Sequence, residues 1–150
     1  MSAALIFAAA AGLTLAAAPD TVRAQDRLPD GVRVIVNPAT PVTALPREQV
    51  SRLFLRKVAR WDGGPAVQPV DLAESSPARD AFSRFVHRRS VAMITGYWQR
   101  QIFSGRQLPP PAESSEAAVV AFVRATPGAV GYVSAAADVR GVRVVAVTAE

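Results

Sequence analysis

The residues with the clearest potential for chemistry lie in the segment from Glu74 to Arg79, between a predicted strand and a predicted helix. Free backbone N–H groups and the positive end of the helix dipole make such a junction a typical place to hold an anion. Ser75 and Ser76 would add hydroxyl donors, and Arg79, one turn into the helix, would add a charged fork. In open α/β sheets, ligands bind beyond the carboxyl ends of strands, where this segment lies. The segment therefore predicts a site for a small oxyanion.

A purely structural interpretation of the same segment stays open. A serine followed by proline, as in Ser76-Pro77, is a common way to begin a helix, because the hydroxyl caps a free N–H group and proline needs no partner for one. Arg79 would then pair with a surface carboxylate. Glu74 favours this alternative, since its negative charge would repel an anionic ligand.

The residues give little support for catalysis. The only histidine, His87, lies at the end of a predicted helix, where the helix dipole explains it without a further role. The chain has no cysteine to act as a nucleophile, no pair of histidines for a metal and no glycine-rich phosphate loop. We therefore expect neither an enzyme nor a bound metal or cofactor.

The elements that must position the candidate site follow from hydrophobic periodicity and turn residues. Alternating β-branched residues predict strands at residues 32–36, 67–71, 130–133 and 142–148. Apolar residues at helical spacing predict helices from Pro46 to about Lys57, from Ser76 onward, from Val91 to Phe103, and from Ser114 or Ser115 to before Pro127. The order β-α-β-α-α-α-β-β predicts one domain of the α/β class, with a small mixed sheet flanked by helices.

The first 24 residues predict export. Residues 3–18 are almost wholly apolar but too few for a membrane span, and Val22-Arg23-Ala24 is a small-x-small cleavage site. Cleavage there leaves residues 25–150 as one periplasmic domain without a membrane span. The net charge of +5, carried mostly by arginine, suits a small oxyanion, and export argues against nucleic acid as the partner.

Several segments, taken in order, resemble the phosphate-type periplasmic substrate-binding proteins. The string from Leu53 to Lys57, followed by Trp61-Asp62-Gly63, is similar to the family's "iFlGk…WpdG" segment, with Arg56 in place of its glycine. Arg79-Asp80-Ala81-Phe82 is similar to the family's "R..F". The string from Pro127 to Val133 is similar to its "pGaIGYv" strand. Together the matches run from about Val36 to Val133.

The resemblance implies one lobe of the type II periplasmic-binding-protein fold. Full-length relatives bind phosphate between two lobes and deliver it to an ABC transporter. By position, the resemblance carries the phosphate ligands over to Ser75, Ser76 and Arg79, although the family's Ser-Gly-Thr is missing from this loop. One lobe offers half a cleft, so a permease or a second copy of the chain would complete it. The alternative is a non-transporting interaction or sensing module that keeps the fold without binding phosphate.

Overall fold

The computed structural model describes Leu28 and residues 31–149. The predicted signal peptide, residues 1–24, lies outside these residues. Within the described part of the chain, no helix is long and apolar enough to cross a membrane.

The described residues contain seven strands, which are β1 (Val32–Val36), β2 (Ala44–Pro46), β3 (Gln68–Pro69), β4 (Asp71–Leu72), β5 (Ala112–Glu113), β6 (Ala129–Ser134) and β7 (Arg143–Thr148). The larger sheet has the order β2-β7-β1-β6-β3. Its central strand β1 is antiparallel to both neighbours, β6 and β7, whereas the edge strands β2 and β3 run parallel to theirs. Strands β4 and β5 form a separate parallel pair.

The described helices are α1 (Arg47–Phe54), α2 (Pro77–Phe82), α3 (Val91–Phe103) and α4 (Glu116–Ala125). A π-helical turn, Ser83–His87, continues α2. The predicted α/β class with a mixed sheet and flanking helices is confirmed. Serine hydroxyls cap three of these helices, because each accepts the N–H of the residue three positions on: Ser76 for α2, Ser90 for α3 and Ser115 for α4.

The prediction of one continuous strand at residues 67–71 is wrong, because this segment forms two short strands, β3 and β4. The chain changes partner between them: the N–H of Val70 donates to Val130 of β6, whereas the N–H of Asp71 donates to Pro111, just before β5. This change of partner turns the strand end away from the main sheet. It places Asp71 and Leu72 beside the start of α2.

The core lies between the main sheet and helices α1, α2 and α4. All five residues of β1 are buried. Three aromatic rings join the helices to the sheet: Phe82 of α2 stacks on Tyr132 of β6 at 3.8 Å, and Phe54 of α1 meets Phe82 edge-on at 4.7 Å. The buried residues of α1 and α2 include the aromatic rings Phe54 and Phe82, whereas α3 buries Ile94 and Trp98 and leaves Ile102 exposed.

Gly131 of β6 is a point of close packing beneath α4. A Cβ built there would lie 2.8 Å from Val119 Cγ1 and 3.0 Å from Val70 Cγ1. We expect Gly131→Ala to lower the free energy of unfolding by about 1–3 kcal/mol, because the facing valines must move. Urea denaturation measures the change. Gly96→Ala is the control, since its Cβ meets only Arg100 Nη1 at 3.5 Å and alanine favours a helix interior. Equal stability of Gly131→Ala and the wild type would contradict this packing.

Candidate functional site

The predicted oxyanion loop lies where expected, between the end of β4 and the start of α2. Ser76 is the N-cap of α2, and its Oγ accepts the N–H of Arg79 at 3.4 Å. Pro77, the first helical residue, contributes no N–H group. The side chain of Ser75 is exposed. Of the two serines, therefore, Ser75 has the hydroxyl that no capping bond occupies.

Arg79 points into the protein and is only 8% exposed. Its Nη1 donates to the carbonyl oxygen of Leu72 at 2.5 Å, and its Nη2 lies 3.6 Å from Asp71 Oδ2. The side chain thus ties the first turn of α2 to strand β4. The structural interpretation expected Ser76 to cap the helix and Arg79 to pair with a surface carboxylate. Both contacts are present, but the partner of Arg79 is the buried carboxylate of Asp71.

Tyr132 extends this buried network into the main sheet. Its hydroxyl donates to Asp71 Oδ1 and accepts the N–H of Leu72 at 3.2 Å. Burial raises the pKa of the Asp71 carboxyl, and the Arg79 guanidinium and the Tyr132 hydroxyl oppose that rise. Burial and the neighbouring Asp71 carboxylate raise the pKa of Tyr132, so its hydroxyl stays protonated and remains a donor. The network therefore connects β4, α2 and β6.

A cavity of about 250 Å³ opens beside the network, between α3 and the loop that precedes α2. Its polar lining includes Asp71, Glu74, Arg79 and Thr95. Thr95 Oγ1 donates to Glu74 Oε1 at 2.8 Å, which fixes the loop against α3. The two carboxylates of this lining accept hydrogen bonds, so the cavity favours a ligand that donates them.

Sequence reasoning identified the loop but missed two members of the network. Neither Asp71 nor Tyr132 is among the residues that the sequence predicts for the site. A signal for Asp71 was present in the sequence: it lies between the apolar residues Val70 and Leu72 at the end of a buried strand, where a carboxylate requires a partner.

His87 is held as a neutral side chain behind α2. Burial, followed by the charges of Arg89 and Arg79, lowers its pKa to about 4. Its Nδ1 lies 2.8 Å from Ser51 Oγ, and its ring meets Phe82 edge-on at 5.4 Å. The expected favourable contact with the helix dipole requires a charged ring, so that explanation is wrong at neutral pH. Packing and the bond to Ser51 explain the position of His87 instead.

Solved structures resemble the chain over most of its length. They include an ABC-type phosphate transport receptor from Vibrio cholerae, with a TM-score of 0.61 and 20% identity over 78% of this chain and 46% of that one. A putative phosphate ABC transporter substrate-binding protein with bound phosphate, from Clostridium perfringens, has a TM-score of 0.61 and 21% identity over 79% of this chain and 45% of that one. A possible phosphate-binding protein from Planctomyces limnophilus has a TM-score of 0.58 and 20% identity over 79% and 41%.

No protein-family model and no curated protein matches the chain. The chain spans less than half the length of the solved structures that it resembles. At these identities the likeness shows a shared fold, and the fold expected from the sequence resemblance is confirmed.

Proposed function

We propose that this protein is an exported binding module of the phosphate-receptor type, which takes phosphate or a similar oxyanion in the periplasm and serves an ABC-type transporter. The observation that carries the proposal is the fold, shared with three proteins described as phosphate receptors or phosphate-binding proteins, one of them with phosphate bound. The resemblance of Arg79-Asp80-Ala81-Phe82 to the family's "R..F" adds support, although the loop before it lacks the family's Ser-Gly-Thr.

The proposed ligands are Ser75, Ser76 and Arg79. Ser75 would make the first contact, because its side chain is exposed just before the start of α2. Arg79 would act mainly through its charge, since its Nη1 and Nη2 already face Leu72 and Asp71. One such wall replaces only part of the hydration of phosphate, so we propose that a permease or a second copy of the chain supplies the other wall.

A second candidate function is a non-transporting interaction or sensing module that keeps the fold without binding phosphate. The buried Asp71–Arg79 pair favours it, because the guanidinium that would hold the anion is already neutralised. Glu74, which lines the neighbouring cavity, adds a negative charge close to the proposed site.

Calorimetric titration with phosphate, and with sulfate for comparison, separates the two candidates. We expect phosphate to bind to the folded chain and Ser75→Ala to weaken binding by about tenfold or more, because a hydrogen bond to a charged ligand is lost. The exposed position of Ser75 allows its substitution without disturbing the buried network.

Ser114→Ala is the matched control, because Ser114 precedes the N-cap of α4 as Ser75 precedes that of α2. We expect it to bind phosphate like the wild type. Absence of heat at millimolar phosphate, from a chain shown to be folded by circular dichroism, would favour the interaction module. Phosphate binding that Ser75→Ala leaves unchanged would show that the assigned loop is wrong.

A further inference from the structure

A second, unassigned cavity lies on the other side of the C-terminal half of α3. This groove has a volume of about 650 Å³, within the range of small-molecule sites. Helix α1 and strand β3 form one wall, and the end of α3 with the loop after it forms the other. The groove shares only Ile102 with the cavity beside the proposed phosphate loop.

The lining of the groove combines positive charge with apolar surface. Arg56 and Arg106 are its charged residues, and no carboxylate lines it. Within the described residues, neither guanidinium has an ion-pair partner. Ile102 and Leu108 are exposed large apolar residues on its outer wall, at 47% and 69% exposure. Such a lining fits a ligand that carries one anionic group and an apolar body.

Arg56 is held in this groove at a conformational cost. It follows α1 at the position where a helix commonly ends in glycine: its N–H donates to Leu53 and that of Lys57 donates to Arg52. Its φ is +54°, a left-handed conformation that disfavours residues with a Cβ. A glycine would satisfy the same backbone bonds without strain. Arg88 has the same left-handed conformation after the π-helical turn, with a φ of +53°, so the contacts of the Arg56 side chain, and not the strain, must assign its role.

The Nε of the Arg56 side chain is buried without a hydrogen-bond partner among the described residues. The Nε2 of Gln107 donates to the Arg56 carbonyl at 3.1 Å, which fastens the loop carrying Arg106 and Leu108 to the end of α1. The two walls of the groove are therefore connected through the backbone carbonyl of Arg56. A carboxylate is the planar anion that a guanidinium fork holds through two parallel bonds.

We infer that this groove binds an organic acid, with its carboxylate held by Arg56 and Arg106 and its apolar body lying along Ile102 and Leu108. The site is separate from the proposed phosphate loop and does not depend on it.

Calorimetric titration of the full chain with octanoate, acetate and neutral octanamide tests the inference. We expect octanoate to bind, acetate to bind more weakly because it lacks the apolar body, and octanamide to bind more weakly because it lacks the charge. Arg56→Gly and Arg106→Ala should each reduce octanoate affinity by about tenfold or more. Arg52→Ala, on an exposed position of α1 outside the groove, should leave it unchanged.

The melting temperature of Arg56→Gly distinguishes a ligand-binding role of Arg56 from a structural one. If Arg56 only stabilised the fold, its replacement would lower the melting temperature. Because glycine relieves the left-handed conformation, Arg56→Gly should raise the melting temperature while it weakens octanoate binding. The inference is overturned by a folded wild type that does not bind octanoate, by equal affinity for octanoate and either comparison compound, or by Arg56→Gly binding as tightly as the wild type. A lower melting temperature for Arg56→Gly would also overturn it. Octanoate binding that excess phosphate does not displace would confirm that the two sites are separate.

Discussion

Arg79→Met is expected to lower the free energy of unfolding by about 3–5 kcal/mol at neutral pH, because it leaves the Asp71 carboxylate buried without its counter-charge. The side chains of Arg79 and Asp71 are only 10% and 11% exposed, so water from the neighbouring cavity replaces the lost partner only in part. The carbonyl of Leu72 loses its donor as well. Urea denaturation monitored by circular dichroism measures the change.

Two further variants separate this effect from a simple loss of packing. Asp71→Leu combined with Arg79→Met removes both charges, so the double variant should be more stable than Arg79→Met alone. Arg84→Met removes an arginine of the same helical region, but its partner Asp80 is exposed, and we expect a change of no more than about 0.5 kcal/mol. If the double variant were the less stable one, the buried charge of Asp71 would not be the cause.

This result bears on the test of the proposed function. Loss of phosphate binding in an Arg79 variant would not distinguish a missing ligand contact from a disturbed fold, because Arg79 holds the start of α2 against β4. Ser75 has no such contact in the described structure, so its substitution is the sharper test of binding.

A loss of stability on acidification from pH 6.5 to about 4 is the second expected result, and it depends on His87. The folded chain lowers the pKa of His87 to about 4 from the usual 6.5, so the unfolded chain binds more protons between these values. The contribution of His87 is complete above pH 6.5 and decreases by about 3 kcal/mol as the pH falls through 4. The positive charges of Arg79 and Arg89 disfavour the charged form of the His87 ring. The other neighbours, Ser51 and Phe82, are neutral and supply no compensating anion.

Asp71 has the opposite effect on the pH dependence. The pKa of Asp71 is raised in the folded chain, so the folded state takes up a proton at a higher pH than the unfolded state does. Protonation removes the cost of burying the charged carboxylate, and this contribution raises the stability of the fold as the pH falls toward 3.8. We therefore expect His87→Gln to flatten the decrease in stability below pH 6.5 and Asp71→Asn to make it steeper. Urea denaturation at a series of pH values measures both. An unchanged slope in His87→Gln would assign the acid sensitivity to another group.

Local signals predicted the helices and their starts. Ser76-Pro77 marked the first turn of α2, and the spacing of Val50, Leu53 and Phe54 marked the buried face of α1. These features depend on residues within one or two helical turns of each other, so they can be read along the chain. The short strands β2 and β5 were not predicted, because two or three residues carry no periodicity and their strand character comes from the neighbour with which they pair.

In the oxyanion loop, too, some features follow from neighbouring residues and others only from the tertiary structure. Sequence determined that Ser75, Ser76 and Arg79 lie together at the start of a helix, and it left open whether Arg79 faces a ligand or a carboxylate. Only the tertiary structure decided that Arg79 meets Asp71, and that Tyr132, 61 positions away from Asp71, completes the pair. A buried charge takes the partner that the packing of distant strands brings within reach, and that packing is decided by the core as a whole and not by the residues beside the charge.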